Sequence, residues 1–162
     1  MEQNQKPIPL RFDTYMAMIE GSIGSRQFAH LFAEVNGEKT DLLSDGELSC
    51  AFYVSNILVS LGFMREVHAR VSSTISDMIQ SGWKEVSEVL PGAVIVWEEK
   101  TGPHGSHAHI GFCLNKDTAI SNSDKEKTPV EHHITFGEMG GKPIRAITKI
   151  YWTDNFSSGQ TH

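Results

Sequence analysis

The sequence lacks several features that would assign it to a specialised class of protein. It has only two cysteines in 162 residues, Cys50 and Cys113, and they form no CxxC pair, so a disulfide framework is not indicated. It has no run of 18 apolar residues, and we therefore predict no transmembrane segment. No basic run offsets the formal net charge of -6, so binding to nucleic acid through a positive field is not expected.

The N-terminal segment has no apolar stretch of signal-peptide length. Residues 1–10 are polar and contain Pro7 and Pro9, which predicts an extended arm without an export signal. We therefore expect a protein that is either cytoplasmic or exported by another route. The length suits one compact domain, which we place at residues 11–153, and residues 154–162 have the composition of a flexible tail.

Helical spacing of apolar residues dominates the first half of the chain. Two short helices are predicted before residue 36, from Phe12, Tyr15, Met16 and Ile19 in the first and from Phe28, Leu31, Phe32 and Val35 in the second. Residues 36–49 have a loop composition. A third helix runs from Cys50 to Leu61 and stops at Gly62, and a fourth carries its apolar stripe to a stop at residues 81–82.

The pattern changes to that of strands after a Pro-Gly turn at residues 91–92. Residues 93–97 predict a first strand, residues 98–106 a flexible connection and residues 107–114 a second strand. A turn at 115–117 precedes a third strand at 118–121, and further strands are predicted at 133–136 and 144–152. Helices followed by a mostly antiparallel sheet define an α+β fold with the helices on one side.

Cys50 is the candidate nucleophile because it opens a predicted helix. A thiol in the first turn lies beside unpaired backbone N–H groups and the positive end of the helix dipole, and both favour the thiolate. Cysteine is also a common small core residue. We interpret Cys113 in that way, because it lies four residues from His109 along the strand, about 13 Å away.

His109 is the candidate general base. Ile110, Phe112 and Leu114 share one face of the predicted second strand, which leaves His109 on the other face. A cysteine at a helix start and a histidine on a strand form the arrangement expected of a thiol nucleophile and its base. The imidazole would take the proton of Cys50 and later return it to the leaving amine.

A third polar group is expected to hold this imidazole in the productive tautomer. A three-residue turn at 115–117 places Ser121 on the His109 face, whereas a two-residue turn or a bulge places Asn122 there. We favour Asn122 because an amide oxygen orients an imidazole well, and Ser121 stays as the geometric competitor.

His104, His107 and His109 raise the alternative of a metal site, with His132 and His133 in reserve. Their spacing matches no common structural zinc pattern, and no cysteine pair lies close by. A glycine-rich loop that holds histidines accounts for His104 and His107, and no cofactor is predicted.

Residues 44–123 resemble the NlpC-type, papain-like cysteine peptidases and amidases, which are related to the CHAP group. The resemblance is carried by the order and spacing of three segments: residues 48–58 around Cys50, residues 91–97 after the Pro-Gly turn, and the His-Ile-Gly-Phe segment from His109. It implies a papain-like fold and a hydrolase that cleaves an amide or peptide bond through a thiol acyl-enzyme. The implied substrate is a peptide or a peptidoglycan fragment of a bacterial cell wall.

The sequence departs from that family around the nucleophile. The family commonly has Asp-Cys-Ser-Gly there, whereas residues 49–52 read Ser-Cys-Ala-Phe, and the third residue is often histidine. The alternatives are an amidase or acyltransferase with the same fold, a catalytically silent relative that binds a peptide or a partner domain, and a histidine-rich metal-binding protein. The oligomeric state is not indicated.

Overall fold

The computed structural model describes residues 6–157, which form an α+β fold. Its helices are α1 (Arg11–Gly21), α2 (Cys50–Ser60) and α3 (Val71–Gln80). They pack on a six-stranded sheet in which every neighbouring pair of strands is antiparallel. Within the described residues, no helix has the length and apolarity needed to cross a bilayer.

The strands follow one another along most of the chain after residue 31. They are β1 (Phe32–Val35), β2 (Glu38–Asp41), β3 (Lys84–Val86), β4 (Val94–Gly102), β5 (Gly105–Cys113), β6 (Thr118–Asn122), β7 (Pro129–His133), β8 (Glu138–Met139), β9 (Lys142–Pro143) and β10 (Ile147–Trp152). The main sheet has the order β3-β10-β4-β5-β6-β7, while β1-β2 and β8-β9 are separate two-stranded hairpins.

The prediction of a second helix at residues 28–35 is wrong. Residues 32–35 form β1, which pairs with β2 across a two-residue turn. Asn36 and Gly37 both have positive φ, 53° and 82°, as a tight hairpin turn requires. The Asn-Gly pair is therefore the centre of a hairpin and not a helix stop, and part of the predicted loop at 36–49 is the strand β2.

The prediction of a flexible connection at residues 98–106 is also wrong. Strand β4 continues to Gly102 and β5 begins at Gly105, so the two strands form one long hairpin with Pro103 and His104 at its tip. The outer part of this hairpin is exposed. It therefore carries no alternation of apolar and polar residues, and alternation is the pattern by which a strand is recognised in a sequence.

The third predicted strand corresponds to β6, and its register agrees with a three-residue turn. Leu114 N–H donates to Thr118 O, so residues 115–117 connect β5 to β6. Gly111 then lies opposite Ser121. The later strands are displaced from their predicted positions, because β7 ends at His133 and β10 begins at Ile147.

The chain ends differ in part from the prediction of an arm and a tail. Residues 6–10 contain no helix or strand, while residues 1–5 and 158–162 lie outside the described part. Asp154–Phe156, which the sequence assigned to the flexible tail, forms a short 3-10 helix. Its Phe156 is buried in the core against Tyr15 and Phe63.

The main sheet buries side chains on both faces. The face towards the helices contributes Val94, Val96, Ile110, Phe112 and Ile120 to the main core, together with the aromatic rings of α1 and α2. The opposite face carries a smaller apolar cluster under the connecting segments, with Ile95, Trp97, Cys113 and Ala119. Cys113 is fully buried there, as its interpretation as a core residue requires.

Strands β5 and β6 approach each other closely at Gly111. A methyl group added there would lie 2.6 Å from Ile120 O and 2.7 Å from Ser121 Cβ. We expect Gly111→Ala to lower the free energy of unfolding by about 1–3 kcal/mol, as overpacking of a tight site does. Urea unfolding measures this change.

Gly21→Ala is the matched control, because no heavy atom lies within 4 Å of the added carbon. We expect that variant to unfold within about 1 kcal/mol of the unmodified protein. Equal stability of Gly111→Ala and the unmodified protein would show that the strands separate at no cost.

Candidate active site

Cys50 is the first residue of α2, and its thiol is partly buried against the main core. The backbone N–H groups of Cys50 and Ala51 at the helix start approach the sulfur, as does the N–H of Ile110 on β5. The sulfur therefore lies where the beginning of α2 meets the main sheet.

The N–H of Ile110 is free to bond the sulfur because the pairing of β5 with β6 stops at Gly111, the next residue along β5. The last paired residues are Gly111 and Ser121. Leu114 N–H is directed towards β6, and every second residue of a strand points the same way, so Ile110 N–H also faces the β6 side. The Ile110 N–H is therefore directed to the Cys50 sulfur and not to a carbonyl oxygen of β6.

Burial and hydrogen bonding act in opposite directions on the thiol. Burial raises the pKa of Cys50, whereas the N–H groups of Ile110 and Ala51 and the charge of Arg145 lower it. Burial is the larger effect, and the pKa lies above its ordinary value. The expectation that the helix start leaves Cys50 as a thiolate is therefore not met.

His109 lies on the sheet face opposite the helices, as its strand position predicts. Its ring packs against Trp97, with ring centroids 5.5 Å apart, and against Phe136 at 5.7 Å. Burial, and to a smaller degree the charges of Arg145 and His132, lower the pKa of His109 to about 3. The imidazole is therefore uncharged at neutral pH.

No hydrogen bond joins the Cys50 thiol to the His109 ring within residues 6–157. The two are linked through the backbone, because the residue after His109 donates its N–H to the sulfur. Both groups are neutral, so the site holds a thiol and an imidazole and not an ion pair.

Ser121, and not Asn122, contacts His109. The Ser121 hydroxyl lies 2.8 Å from His109 Nε2, on the face that the three-residue turn predicts. Asn122 Nδ2 instead donates to Gly46 O at 2.7 Å and to Ser123 O at 3.3 Å. Asn122 thus holds the loop that leads into α2, and its buried Oδ1 has no partner among the described residues.

A chain of three hydrogen bonds extends from His109 through Ser121 and His132 to the carbonyl oxygen of His133. Ser121 Oγ lies 2.7 Å from His132 Nε2, and His132 Nδ1 lies 2.8 Å from the carbonyl oxygen of His133. His132 stacks on Phe136 with ring centroids 4.0 Å apart. Burial lowers the pKa of His132, which keeps its ring neutral at pH 7.

The last acceptor sets the direction of every bond in this chain. A carbonyl oxygen only accepts, so His132 Nδ1 carries the proton and its Nε2 must accept one. Ser121 therefore donates its hydroxyl proton to His132 and accepts a hydrogen bond from His109 Nε2. His109 is consequently the Nε2–H tautomer, and its Nδ1 lone pair is the basic site.

The contribution of His132 was missed from the sequence, which considered it only as a reserve metal ligand. The strand register could have revealed this contact. Strand β7 pairs with β6 and places His132 opposite Ala119, which is two residues from Ser121. That signal depends on knowing the start of β7, which the sequence placed four residues too late.

Arg145 is the second residue that sequence reasoning missed. Its Nε donates to Glu98 O and its Nη2 to His107 O, both at 2.9 Å, so the guanidinium bridges β4 and β5 close to His109. Its charge lowers the pKa of both His109 and Cys50. No pattern in the sequence marks this arginine, because it lies in the irregular segment before β10.

The remaining histidines of the metal-site alternative have other partners. His104 Nε2 bonds Glu47 at 2.6 Å, which ties the tip of the β4-β5 hairpin to the loop before Cys50. His107 Nε2 bonds the carbonyl oxygen of His104. Across residues 6–157, no three histidine, cysteine or acidic side chains are grouped as metal ligands.

The low pKa of His109 predicts a pH-dependent stability. Between pH 6.5 and 3 the unfolded chain binds a proton that the folded chain does not, so this histidine stabilises the fold above pH 6.5 and the stability is lost as pH falls. The full slope is about 1.4 kcal/mol per pH unit. We expect His109→Gln to lose less stability than the unmodified protein when urea unfolding is compared at pH 6.5 and pH 4.

The control is His107→Gln, which replaces an exposed histidine two residues away on the same strand. We expect it to follow the unmodified protein. An unchanged pH dependence in His109→Gln would contradict the neutral, buried imidazole.

The hydrogen-bond chain predicts the tautomer of His109. Ring ¹⁵N chemical shifts at pH 7 are expected to show the proton on Nε2, and Ser121→Ala is expected to give a mixture of tautomers, because the acceptor is lost. Ser123→Ala, which removes a hydroxyl that accepts only from Glu126 N–H, serves as the control. A proton on Nδ1 of His109 in the unmodified protein would contradict the stated direction of the chain.

Two comparisons with known proteins gave no relative for this chain. No family model matches the sequence. No curated protein matches it significantly either. The geometry and chemistry of the site are therefore the basis for any assignment of function.

Proposed function

We propose that this protein is a cysteine hydrolase of papain-like, NlpC-type fold, which cleaves an amide or peptide bond through an acyl-enzyme on Cys50. The observation that carries the proposal is that the Cys50 sulfur at the start of α2 accepts the N–H of Ile110, the residue next to His109, while the hydrogen bonds of His109 leave its Nδ1 as the basic site. Thiol hydrolases use a nucleophile, a base and a group that orients the base, and Cys50, His109 and Ser121 would take these three roles.

In the proposed reaction His109 Nδ1 takes the proton from Cys50 as the sulfur attacks the carbonyl carbon. Because both groups start neutral, the proton moves during the attack, and base catalysis replaces a preformed ion pair. The developing negative charge on the carbonyl oxygen is stabilised by the Cys50 N–H at the start of α2. Ser121 holds the resulting imidazolium in place through its Nε2–H.

The tetrahedral intermediate then breaks its carbon–nitrogen bond. His109 returns the proton to the departing amine, which leaves a thioester between Cys50 and the acyl group. Water, with His109 again as base, cleaves the thioester and releases a carboxylic acid and the free thiol. An acyltransferase would differ only in the last step, where an amine replaces the water.

The resemblance of residues 44–123 to NlpC-type enzymes supports a substrate among bacterial cell-wall peptides. Two elements of that resemblance have a clear structural basis: Cys50 opens α2, and Gly111 in the His-Ile-Gly-Phe segment permits the close approach of β6. Residues 49–52, which depart from the family pattern, are buried or partly buried at this helix start.

A catalytically silent relative that binds a peptide is the second candidate. The observations that favour it are the raised pKa of Cys50 and the missing hydrogen bond between its thiol and His109 in the described part of the chain. Such a protein would keep the fold and the hydrogen-bond chain without a reactive thiol.

Alkylation and hydrolysis measured together distinguish the two candidates. We expect iodoacetamide to label Cys50 and not Cys113, because Cys113 is fully buried and burial raises the pKa of its thiol to about 11. We expect peptide release from peptidoglycan fragments to fall at least about a hundredfold in Cys50→Ala, since the nucleophile is lost.

Cys113→Ala is the control for the loss of a thiol, and we expect it to keep activity if its smaller side chain leaves the fold intact. Undiminished hydrolysis by Cys50→Ala would overturn the assignment of the nucleophile. Absence of both hydrolysis and labelling at Cys50 would favour the silent relative.

A further inference from the structure

Arg145 is a half-buried cation that forms no ion pair with any described residue. Within residues 6–157, no carboxylate oxygen lies within 4 Å of its guanidinium nitrogens. Its two hydrogen bonds go to the neutral carbonyl oxygens of Glu98 and His107. The carboxylates of Glu98 and Asp124 act on the guanidinium only through space, and burial still lowers its pKa, so the charge has no direct ionic contact among the described residues.

The two carbonyl bonds fix the plane of the guanidinium and leave most of its donors unused. A guanidinium has five N–H groups, and the described residues occupy one on Nε and one on Nη2. Three N–H groups remain, on Nη1 and Nη2. Donors on two adjacent nitrogens form the fork that binds a carboxylate through both of its oxygens.

The position of Arg145 places this fork beside the reacting groups. His107, which accepts from Nη2, is two residues before His109 on β5, and Glu98 directly follows Trp97, which pairs with His109. A thiolate at Cys50 would raise the pKa of Arg145, as the carboxylates of Glu98 and Asp124 do, so the sulfur lies within electrostatic range of the guanidinium. The carbonyl oxygen of His107 that holds the fork and the N–H of Ile110 that approaches the sulfur are three residues apart on β5, so a substrate that reaches the thiol can also reach the fork.

We propose that Arg145 binds a carboxylate of the substrate, so that the protein acts on amides that carry a carboxylate close to the bond attacked by Cys50. That the bound carboxylate belongs to a substrate rests on the proposed hydrolase function, whereas the anion site itself does not require an active thiol. The carboxylate would neutralise a charge that the fold leaves unpaired, and it would select among peptides by the acidic group beside the scissile bond.

Two alkylating reagents of nearly equal size test the anion site at the sulfur. Iodoacetate carries a carboxylate and iodoacetamide does not. We expect the ratio of their rates at Cys50 to exceed the ratio measured for N-acetylcysteine at the same pH. In Arg145→Gln we expect that ratio to fall by about 5- to 10-fold, the size of one unit-charge attraction in a partly exposed site.

Lys100→Gln is the matched control, because it removes one positive charge from the same hairpin. Lys100 Nζ is exposed and donates to Ile144 O. We expect this variant to keep the rate ratio of the unmodified protein. If Arg145→Gln slowed both reagents equally, the arginine would act on the thiol and not on the reagent, which would overturn the proposal.

A titration in Cys50→Ala tests the anion site without the nucleophile. We expect an N-acetyl dipeptide with a free carboxylate to cause a saturable shift of the Arg145 Nε–H NMR signal, while the corresponding carboxamide causes none. Lack of saturation by the carboxylate overturns the anion site. A saturable shift in a protein that neither hydrolyses peptides nor is labelled at Cys50 would refute the hydrolase and leave the anion site standing.

Arg145→Lys controls for a folding defect in Arg145→Gln, since it keeps the charge but not the fork. We expect it to retain part of the iodoacetate preference. A complete return of the preference and of the dipeptide affinity with lysine would contradict recognition by a two-nitrogen fork.

Discussion

The arrangement of the candidate site depends on one constraint, the point at which strands β5 and β6 stop pairing. Beyond Gly111 and Ser121 the ladder opens, and the N–H of Ile110 is left to the Cys50 sulfur. The same register places Ser121 on the His109 ring and leaves Asn122 to hold the loop before α2. A shift of one residue would exchange the two polar side chains and close the place that the thiol occupies.

Burial decides the charge state of the site. The start of α2 offers N–H groups to Cys50, and by itself that environment would favour a thiolate. Desolvation outweighs it and also keeps His109 uncharged, with a pKa of about 3. The hydrogen-bond chain from His109 through Ser121 and His132 ends on a backbone carbonyl oxygen and contains no charged group. This chain determines which ring nitrogen of His109 carries the proton.

Local patterns in the sequence were sufficient for the parts of the site that depend on neighbouring residues. The start of α2 at Cys50, the face on which His109 lies and the three-residue turn that orients Ser121 all follow from periodicity and turn length. The expectation for Asn122 came from side-chain chemistry, and the register overruled it.

The parts that could not be predicted depend on contacts between distant segments. Nothing near Arg145 indicates that it reaches the carbonyl oxygens of Glu98 and His107. The role of His132 requires the pairing of β7 with β6. In the long β4-β5 hairpin, both faces of the outer part meet solvent, so the apolar alternation that identifies strands is absent.

The bond from Asn122 to Gly46 joins residues 76 positions apart and has a consequence for folding. The loop before α2 depends on β6 for its position, and β6 is completed only after most of the chain is available. The candidate site therefore does not exist in any independently folded N-terminal fragment. Local opening of the loop at Gly46 would disturb the start of α2 while the sheet stays paired, so the integrity of the site is a more sensitive measure of partial unfolding than helix content.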